Sequence, residues 1–391
     1  SLAPGGEGGM PETGPGQGRG RGGQPTTNRS LSYLATLRRL VGDPVAFGLA
    51  VAFVGIALVS LTASVDKHQS LQSLRTIIVE PVALYLLIVT RARRRSDMVV
   101  LAGALVLAGV AISLVGGWQY LTNERIITAE ADLRRIRGFY GSPNNLALFL
   151  GRALPFGLAF ALFWRRGRFY WTLATAIMAL AMVLTFSLGG WFAIGLAALV
   201  VAGLHSGRTF KMAIAIGVVG LLVGGVVGAG IPRIASHFDL RDSTTFARLD
   251  LWQSALHMLR DHPVRGIGLD NFLYYYQHGY RLPSAWEDPD LSHPHNILLD
   301  FWLSLGLPGF LLLLALAGWL ARAIARGWRD SNGETRGLYA AVVGALVDLA
   351  AHGMVDNSYF LPDLAVLFWL MFAIVTVLQR EQLSSSSSVR G

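Results

Sequence analysis

Two imidazoles and a carboxamide gather in His293-Pro294-His295-Asn296, at the end of the longest polar loop and at the mouth of the apolar run that opens at Ile297. A neutral imidazole can take a proton from a hydroxyl near neutral pH, so this stretch is the first candidate for general-base chemistry. The bland alternative is a helix cap, since Asn and His often open helices and Pro294 interrupts the chain. A zinc site built from His-x-His with Asp300, His352 or Asp356 is a weak reading, because no third ligand falls at a defined spacing. Asp348, His352 and Asp356 follow at i, i+4 and i+8 and share one face of a helix. Asp348 reads as a polar group packed inside a bundle; His352 stands open between packing and a site.

The elements that must carry these residues are membrane helices. Of the 391 residues 53% are hydrophobic and 15% charged, and mean hydropathy is +0.47. Soluble chains carry about 25% charged residues, so lipid is the solvent this composition suits. The net charge is +9, almost wholly from arginine, since Lys67 and Lys211 are the lysines. The arginines punctuate apolar runs and form no basic stripe, which favours a membrane surface over nucleic acid. Cysteine is absent, removing disulfides and thiolate metal sites.

Ten segments approach the roughly 20 apolar residues that a span needs: 44–63, 74–90, 99–115, 146–164, 171–186, 191–204, 212–231, 307–325, 338–353 and 364–378. The fifth and sixth flank Gly189-Gly190 and predict a hairpin, because one helix over both would be too long to cross once. Alternating spans put Arg91, Arg93, Arg94, Arg95, Arg165, Arg166, Arg168, Arg208, Lys211, Arg322, Arg326, Arg329 and Arg336 on one side. That side is expected to be cytoplasmic, with both termini. Residues 1–30, rich in Gly and Pro, and 380–391, with the Ser384–Ser388 run, are expected to be disordered tails around a single membrane domain at 31–379. Ser1 to Ser30 lack the apolar core of a signal peptide; Met10 is a candidate start, and 31–41 a candidate interfacial helix.

The outer face then holds 118–143, 232–294 and 352–363. The first two carry Arg125, Arg134, Arg135 and Arg137, then Arg233, Arg241, Arg248, Arg260, Arg265 and Arg281. Most read as solvated surface, with one or two available to grip a lipid diphosphate bidentately. Residues 243–260 have the helical period, with Leu249, Trp252, Leu256 and Leu259 on one face, and predict a helix lying on the outer membrane surface. The turn from Arg137 through Gly138, Gly141, Ser142, Pro143 and Asn144 opens a span, and amides there beside Arg137 suit an anion.

Three of these pieces, in this order, resemble the bacterial O-antigen ligase/polymerase membrane family: Pro143-Asn144-x-Leu146-Ala147; Arg248-x-x-x-Trp252-x-x-Ala255 running into Asp261-His262-Pro263 and Gly266-x-Gly268; and His293-Pro294-His295-Asn296 followed by Gly306-x-x-Gly309. The resemblance implies an all-α, GT-C-like polytopic bundle with an outer cap. It implies inverting transfer of a glycan from an undecaprenyl-diphosphate carrier to a glycan, lipid or protein hydroxyl, without metal or cofactor, at the outer face of the cytoplasmic membrane. Carried over, His295 would be the base, Arg248 and Arg137 would neutralise the leaving diphosphate, and Asn144, Asn296, His293, Trp252 and His352 would line or position substrate. Leu188 stands where the family usually has arginine, so that charge would have to come from an arginine elsewhere. Ser304 stands where many members carry an acid. A polymerase with the same donor differs only in acceptor. A lipid or oligosaccharide transporter, the rival from another class, would be expected to show inverted repeats and midplane polar groups.

Overall fold

The computed structural model describes residues 43–124, 126–129, 133–228, 243–285 and 291–388. The expected tail at 1–30, the helix at 31–41, and Arg125, Arg233 and Arg241 lie outside the described residues. Within them are ten long helices besides the one that follows the seventh: α1 (Pro44–Ser60), α2 (Lys67–Arg91), α3 (Arg95–Thr122), α4 (Pro143–Phe163), α5 (Arg168–Leu184), α6 (Leu188–His205), α7 (Gly207–Gly228), α9 (Ile297–Arg329), α10 (Gly333–Gly353) and α11 (Pro362–Ser388). An eleventh, α8 (Ser243–Asp261), lies in the connection between α7 and α9. Among the described residues, six helices are long and apolar enough to cross a membrane (α2, α3, α4, α6, α9 and α11), while α1 and α5 are shorter apolar helices. The ten expected segments all became helices, though fewer meet the full spanning length.

Most of α4 is buried and none of it is exposed, and α10 packs against both α4 and α6. An aromatic cluster of Phe53, Tyr85, Phe301, Tyr359, Trp369 and Phe372 ties α1, α2, α9 and α11 together. At the end away from the histidines, Glu381 accepts from the Arg95 amide and Arg380 donates to the Val89 and Ala92 carbonyls. This anchor carries α11 through the serine run to Ser388, a stretch expected to be disordered.

The connection from α3 to α4 adds to the expected all-α architecture a two-stranded antiparallel hairpin, β1 (Ile127–Ala129) with β2 (Leu133–Arg135), in which Ile127 faces Arg135. The helix α8 forms where its period predicted, with Leu249 and Leu256 exposed on the face expected to meet the membrane and Leu251, Ser254, Ala255, Met258 and Leu259 buried. The buried residues pack with Ile267, Phe272 and Leu303 into a small core of their own.

That cap is stitched to the bundle at a break in α9. Pro308 has no amide hydrogen and crowds the preceding turn, and Gly306 leaves the helix at φ 70 and ψ −175. The groups released are taken up by the segment after α8: the Ile267 amide donates to the Leu303 carbonyl at 2.8 Å, and the Leu307 amide donates to the Val264 carbonyl at 3.0 Å. The approach requires glycine on both sides. A Cβ on Gly266 (φ 65) would strike the Leu303 carbonyl, and one on Gly306 would strike that of Val264. Farther along, Asn271 accepts from the Val65 and Asp66 amides at 2.9 and 3.0 Å, which fixes the same segment to the start of α2.

Gly306→Ala should therefore detach the cap. An alanine held in this backbone region, which is open essentially to glycine alone, costs about 1–3 kcal/mol before the clash is counted. Thermal melting in detergent is expected to shift downward, with proteolysis appearing between α8 and α9. An unchanged melting curve and cleavage pattern would show that the stitch does not hold the cap.

Candidate active site

Three helix starts converge at one end of the bundle. Ser142 caps α4, its hydroxyl accepting from the Asn145 amide at 3.2 Å. Ser187 caps α6 through the Gly190 amide at 3.4 Å. Asn296 caps α9, its carbonyl oxygen accepting from the Leu298 and Leu299 amides at 3.1 and 3.3 Å. Each start presents the positive end of a helix dipole. The expected hairpin between the fifth and sixth segments turns slightly earlier than the glycine pair, at residues 185–187, with Phe186 at φ 49. Gly189 and Gly190 fall instead in the first turn of α6, against the His352 ring. A Cβ on Gly190 would lie 3.3 Å from its Cε1.

At the starts of α4 and α6 is a cavity of about 90 Å³. Its polar wall comprises Arg135, Asn144, Ser187, Arg248, His352 and Asp356, with Leu188 beside them. Asp356 belongs to this wall and to the histidine motif at once. Its Oδ1 lies 2.9 Å from His295 Nδ1 and also accepts from the Asn357 amide at 2.8 Å. Burial pushes the Asp356 carboxyl up, but the hydrogen bond from His295, the nearby His295 and His352 rings and the Asn357 amide outweigh it and hold the group below the ordinary carboxylate value. An ionised Asp356 can only accept, so the proton of a neutral His295 belongs on Nδ1 and Nε2 keeps its lone pair. This is the state in which an imidazole removes a proton from a hydroxyl.

Of the expected site residues, Arg248, Asn144 and His352 line the cavity, and His295 joins it through Asp356. Asp356 lies beyond the end of α10 at Gly353, so the i, i+4, i+8 stripe is helical only through His352. His352 is buried, with Nδ1 unpartnered among the described residues. Asn296 performs the capping role set against function in the sequence, and its Nδ2 donates to the Met354 carbonyl at 3.4 Å. His293 faces another carboxylate, its Nδ1 3.9 Å from Asp300 Oδ2. Ser304, at the position where an acid was expected, donates to Asp300 at 3.3 Å, so the acid stands one turn earlier. Trp252 sits one turn after Arg248 outside the cavity wall, with its indole nitrogen buried and unpartnered among the described residues. Among those residues no three His, Asp or Glu are arranged to hold a metal ion.

Arg137 is the expectation the fold redirects. Its Nη1 donates to the Gly141 carbonyl in its own turn at 3.5 Å, and Gln119 holds that turn through the Gly138 amide at 3.0 Å and the Gly138 carbonyl at 2.8 Å. The guanidinium that enters the cavity is Arg135, at the end of β2. It is nearly buried, donating from Nε to the Thr185 carbonyl at 2.8 Å and from Nη2 to Asn144 Oδ1 at 2.9 Å. The Ile136 amide, bonded to the Leu184 carbonyl at 3.1 Å, locks the hairpin there. The wall that holds Leu188 therefore receives a guanidinium from a different segment. Alternation along β2, with Arg134 exposed and Arg135 buried, was the available signal, but the hairpin had not been recognised.

Residues 173–314 match the family model described as O-antigen ligase. The match, confined to that segment, supports a likeness to the O-antigen ligase/polymerase family. The matched segment runs from α5 to the middle of α9 and contains Leu188, Arg248, His293, His295 and Asn296. Arg135, Asn144, His352 and Asp356 complete the cavity from outside it. Among curated proteins the comparison finds no match.

His293 supplies a pH test. Burial, opposed by Asp270, assisted by His295 and opposed by Asp356, pushes its imidazole from the ordinary 6.5 down to about 4. The unfolded or opened segment thus takes up a proton before the closed one does. The stability this residue contributes is present above pH 6.5 and is lost as pH falls towards 4. Hydrogen exchange of the 291–300 peptide, corrected for intrinsic rates, should show constant protection above pH 6.5 and loosening below it, with a flatter profile in His293→Gln. Wild-type protection unchanged down to pH 4 would contradict a neutral, half-buried His293.

Proposed function

We propose that this membrane protein transfers a glycan from an undecaprenyl-diphosphate carrier to an acceptor hydroxyl at the outer face of the cytoplasmic membrane, as an inverting, metal-independent O-antigen ligase. The observation that carries the reading is the double role of Asp356, which lines the cavity with Arg135 and Arg248 and holds the Nδ1 edge of His295. In the proposed step, His295 Nε2 takes the proton of the acceptor hydroxyl while its oxygen bonds to the anomeric carbon. The bond from that carbon to the diphosphate oxygen breaks, and undecaprenyl diphosphate leaves. Negative charge grows on the departing diphosphate. Two guanidinium groups and the positive ends of α4 and α6, fixed in advance, favour that transition state.

A lipid-linked donor also needs a place for hydrocarbon. An apolar groove of about 740 Å³ extends along α9 and α10 from Ile297 and Leu298, next to Asn296, to Trp328 and Arg329 at the other end. Cytoplasmic termini and an outward-facing site follow from the arginine-rich loops at the end away from the cavity. Ligase and polymerase share donor and base; they differ in whether the accepting hydroxyl belongs to a lipid or protein anchor or to another glycan repeat.

Purified protein incubated with an undecaprenyl-diphosphate oligosaccharide and separate acceptors should yield one capped product for a ligase and a ladder for a polymerase. Absence of transfer from every such donor would overturn the reading. His295→Ala should lower turnover by about 10²–10⁴-fold with normal membrane insertion, the range of a positioned general base. Arg135→Lys and Arg248→Lys should both be strongly impaired because an ammonium lacks the guanidinium fork. Arg137→Lys should be impaired less than either, because Arg137 lies outside the cavity wall. Equal losses at 135 and 137 would show that the cavity wall does not decide which arginine acts.

A further inference from the structure

Beneath the cavity lies a buried cation that the proposed reaction does not use. Arg152, on α4, is 1% exposed, and its Nη1 pairs with Asp348 of α10, which is fully buried. Its Nη2 donates to both the carbonyl, at 3.1 Å, and the hydroxyl of Ser358. Ser358 belongs to the short connection between α10 and α11, two residues after Asp356, and its hydroxyl also donates to the Leu349 carbonyl at 3.0 Å. In the same connection Asn357 Oδ1 accepts from the Phe360 amide at 2.9 Å, and the Asn357 amide donates to Asp356. The guanidinium therefore clasps α4, α10 and the turn that presents Asp356. Close approach is built in: a Cβ on Gly151, beside Arg152, would collide with the Asp348 carboxylate.

An ion pair in this position is hard to explain by stability. Replacing a buried pair by apolar side chains of similar volume is often neutral or stabilising, and charges inside a membrane bundle are rare outside functional roles. An apolar pair could join α4 to α10, but it could not hold the Ser358 carbonyl and hydroxyl. We propose that Arg152 is a positioning residue that, with Asp348, fixes the 354–361 turn so that Asp356 meets His295 Nδ1. Arg152 acts through Asp356 and touches neither His295 nor the polar wall of the cavity. The catalytic part of the inference rests on the proposed transfer reaction. The structural part, that Arg152 sets the Asp356–His295 hydrogen bond, does not.

The test is the full-length Arg152→Met/Asp348→Leu protein, in which both charges leave together, beside Ser358→Ala, which keeps the ion pair and removes the hydroxyl with its contacts to Arg152 and the Leu349 carbonyl. Histidine-labelled protein in nanodiscs is examined by NMR for the His295 Nδ1–H signal and its titration, with assignment from His295→Gln. Hydrogen exchange follows residues 353–361. The double variant should insert and melt like wild type, lose the hydrogen-bonded Nδ1–H signal, shift the His295 titration and exchange at least tenfold faster across the turn. Ser358→Ala should change in the same direction by less. In transfer assays the double variant should lose turnover with little change in donor KM.

An unaltered His295 signal and unaltered turn exchange in a folded double variant would overturn the proposal. Should the double variant fail to fold, the same unaltered readings in Ser358→Ala, together with Arg152→Lys, would overturn it. If wild type transfers no glycan while the NMR and exchange results come out as expected, the transfer reading fails and the positioning role stands.

Discussion

The hydrogen bond between His295 and Asp356 joins two parts of the chain that have separate reasons to be where they are. His295, at φ 48, sits just before the capped start of α9, while Asp356 hangs from the turn after α10. Neither residue could adopt its role alone. The carboxylate needs a donor to remain ionised in a buried place, and the imidazole needs an acceptor on Nδ1 if Nε2 is to serve as a base. Capping at Asn296, the turn at 354–361 and the cavity wall all converge on this contact. Its surroundings are cationic as well, with Arg135, Arg248 and the α4 and α6 N-termini within one small cavity.

Lipid makes the placement of such polar groups expensive and therefore informative. A charged side chain at the centre of a spanning helix costs about 3 kcal/mol on insertion scales, so Arg152 and Asp348 would not remain there without each other. Backbone groups face the same constraint, because the bilayer offers them no water. The chain answers in two ways. It gathers its helix starts at one end, where side-chain caps and the cavity serve the leading amides, and it brings the segment after α8 to the groups exposed by the α9 break.

Much of this was legible because periodicity and punctuation act locally. The ten apolar segments, the Gly306 break and the cap helix follow from hydropathy, Pro308 and a 3.6-residue repeat, and the motif around His295 marked its own end of the bundle. Longer-range features were hidden. Arg135 and Arg137 look alike in a loop, and only the pairing of Ile127 with Arg135 and the Gln119 clamp distinguish them. The second apolar face of α8, through Leu251, Ala255 and Met258, was hidden because its partners Ile267, Phe272 and Leu303 are remote in sequence or lie beyond a turn. Arg152 lies inside an apolar run, and nothing nearby in sequence announces Asp348 as its counterion, 196 positions away.

The paired glycines where the cap meets α9 carry a consequence for exchange of parts between related chains. A cap transplanted from elsewhere could match the small apolar core around Leu251 and still fail on an unbroken host helix. There the Ile267 amide and Val264 carbonyl would meet backbone groups already committed to helical neighbours. The cap segment and the interrupted helix it binds are thus one structural module, and its boundary runs through the interior of α9 near Gly306, well past the histidines that precede the helix.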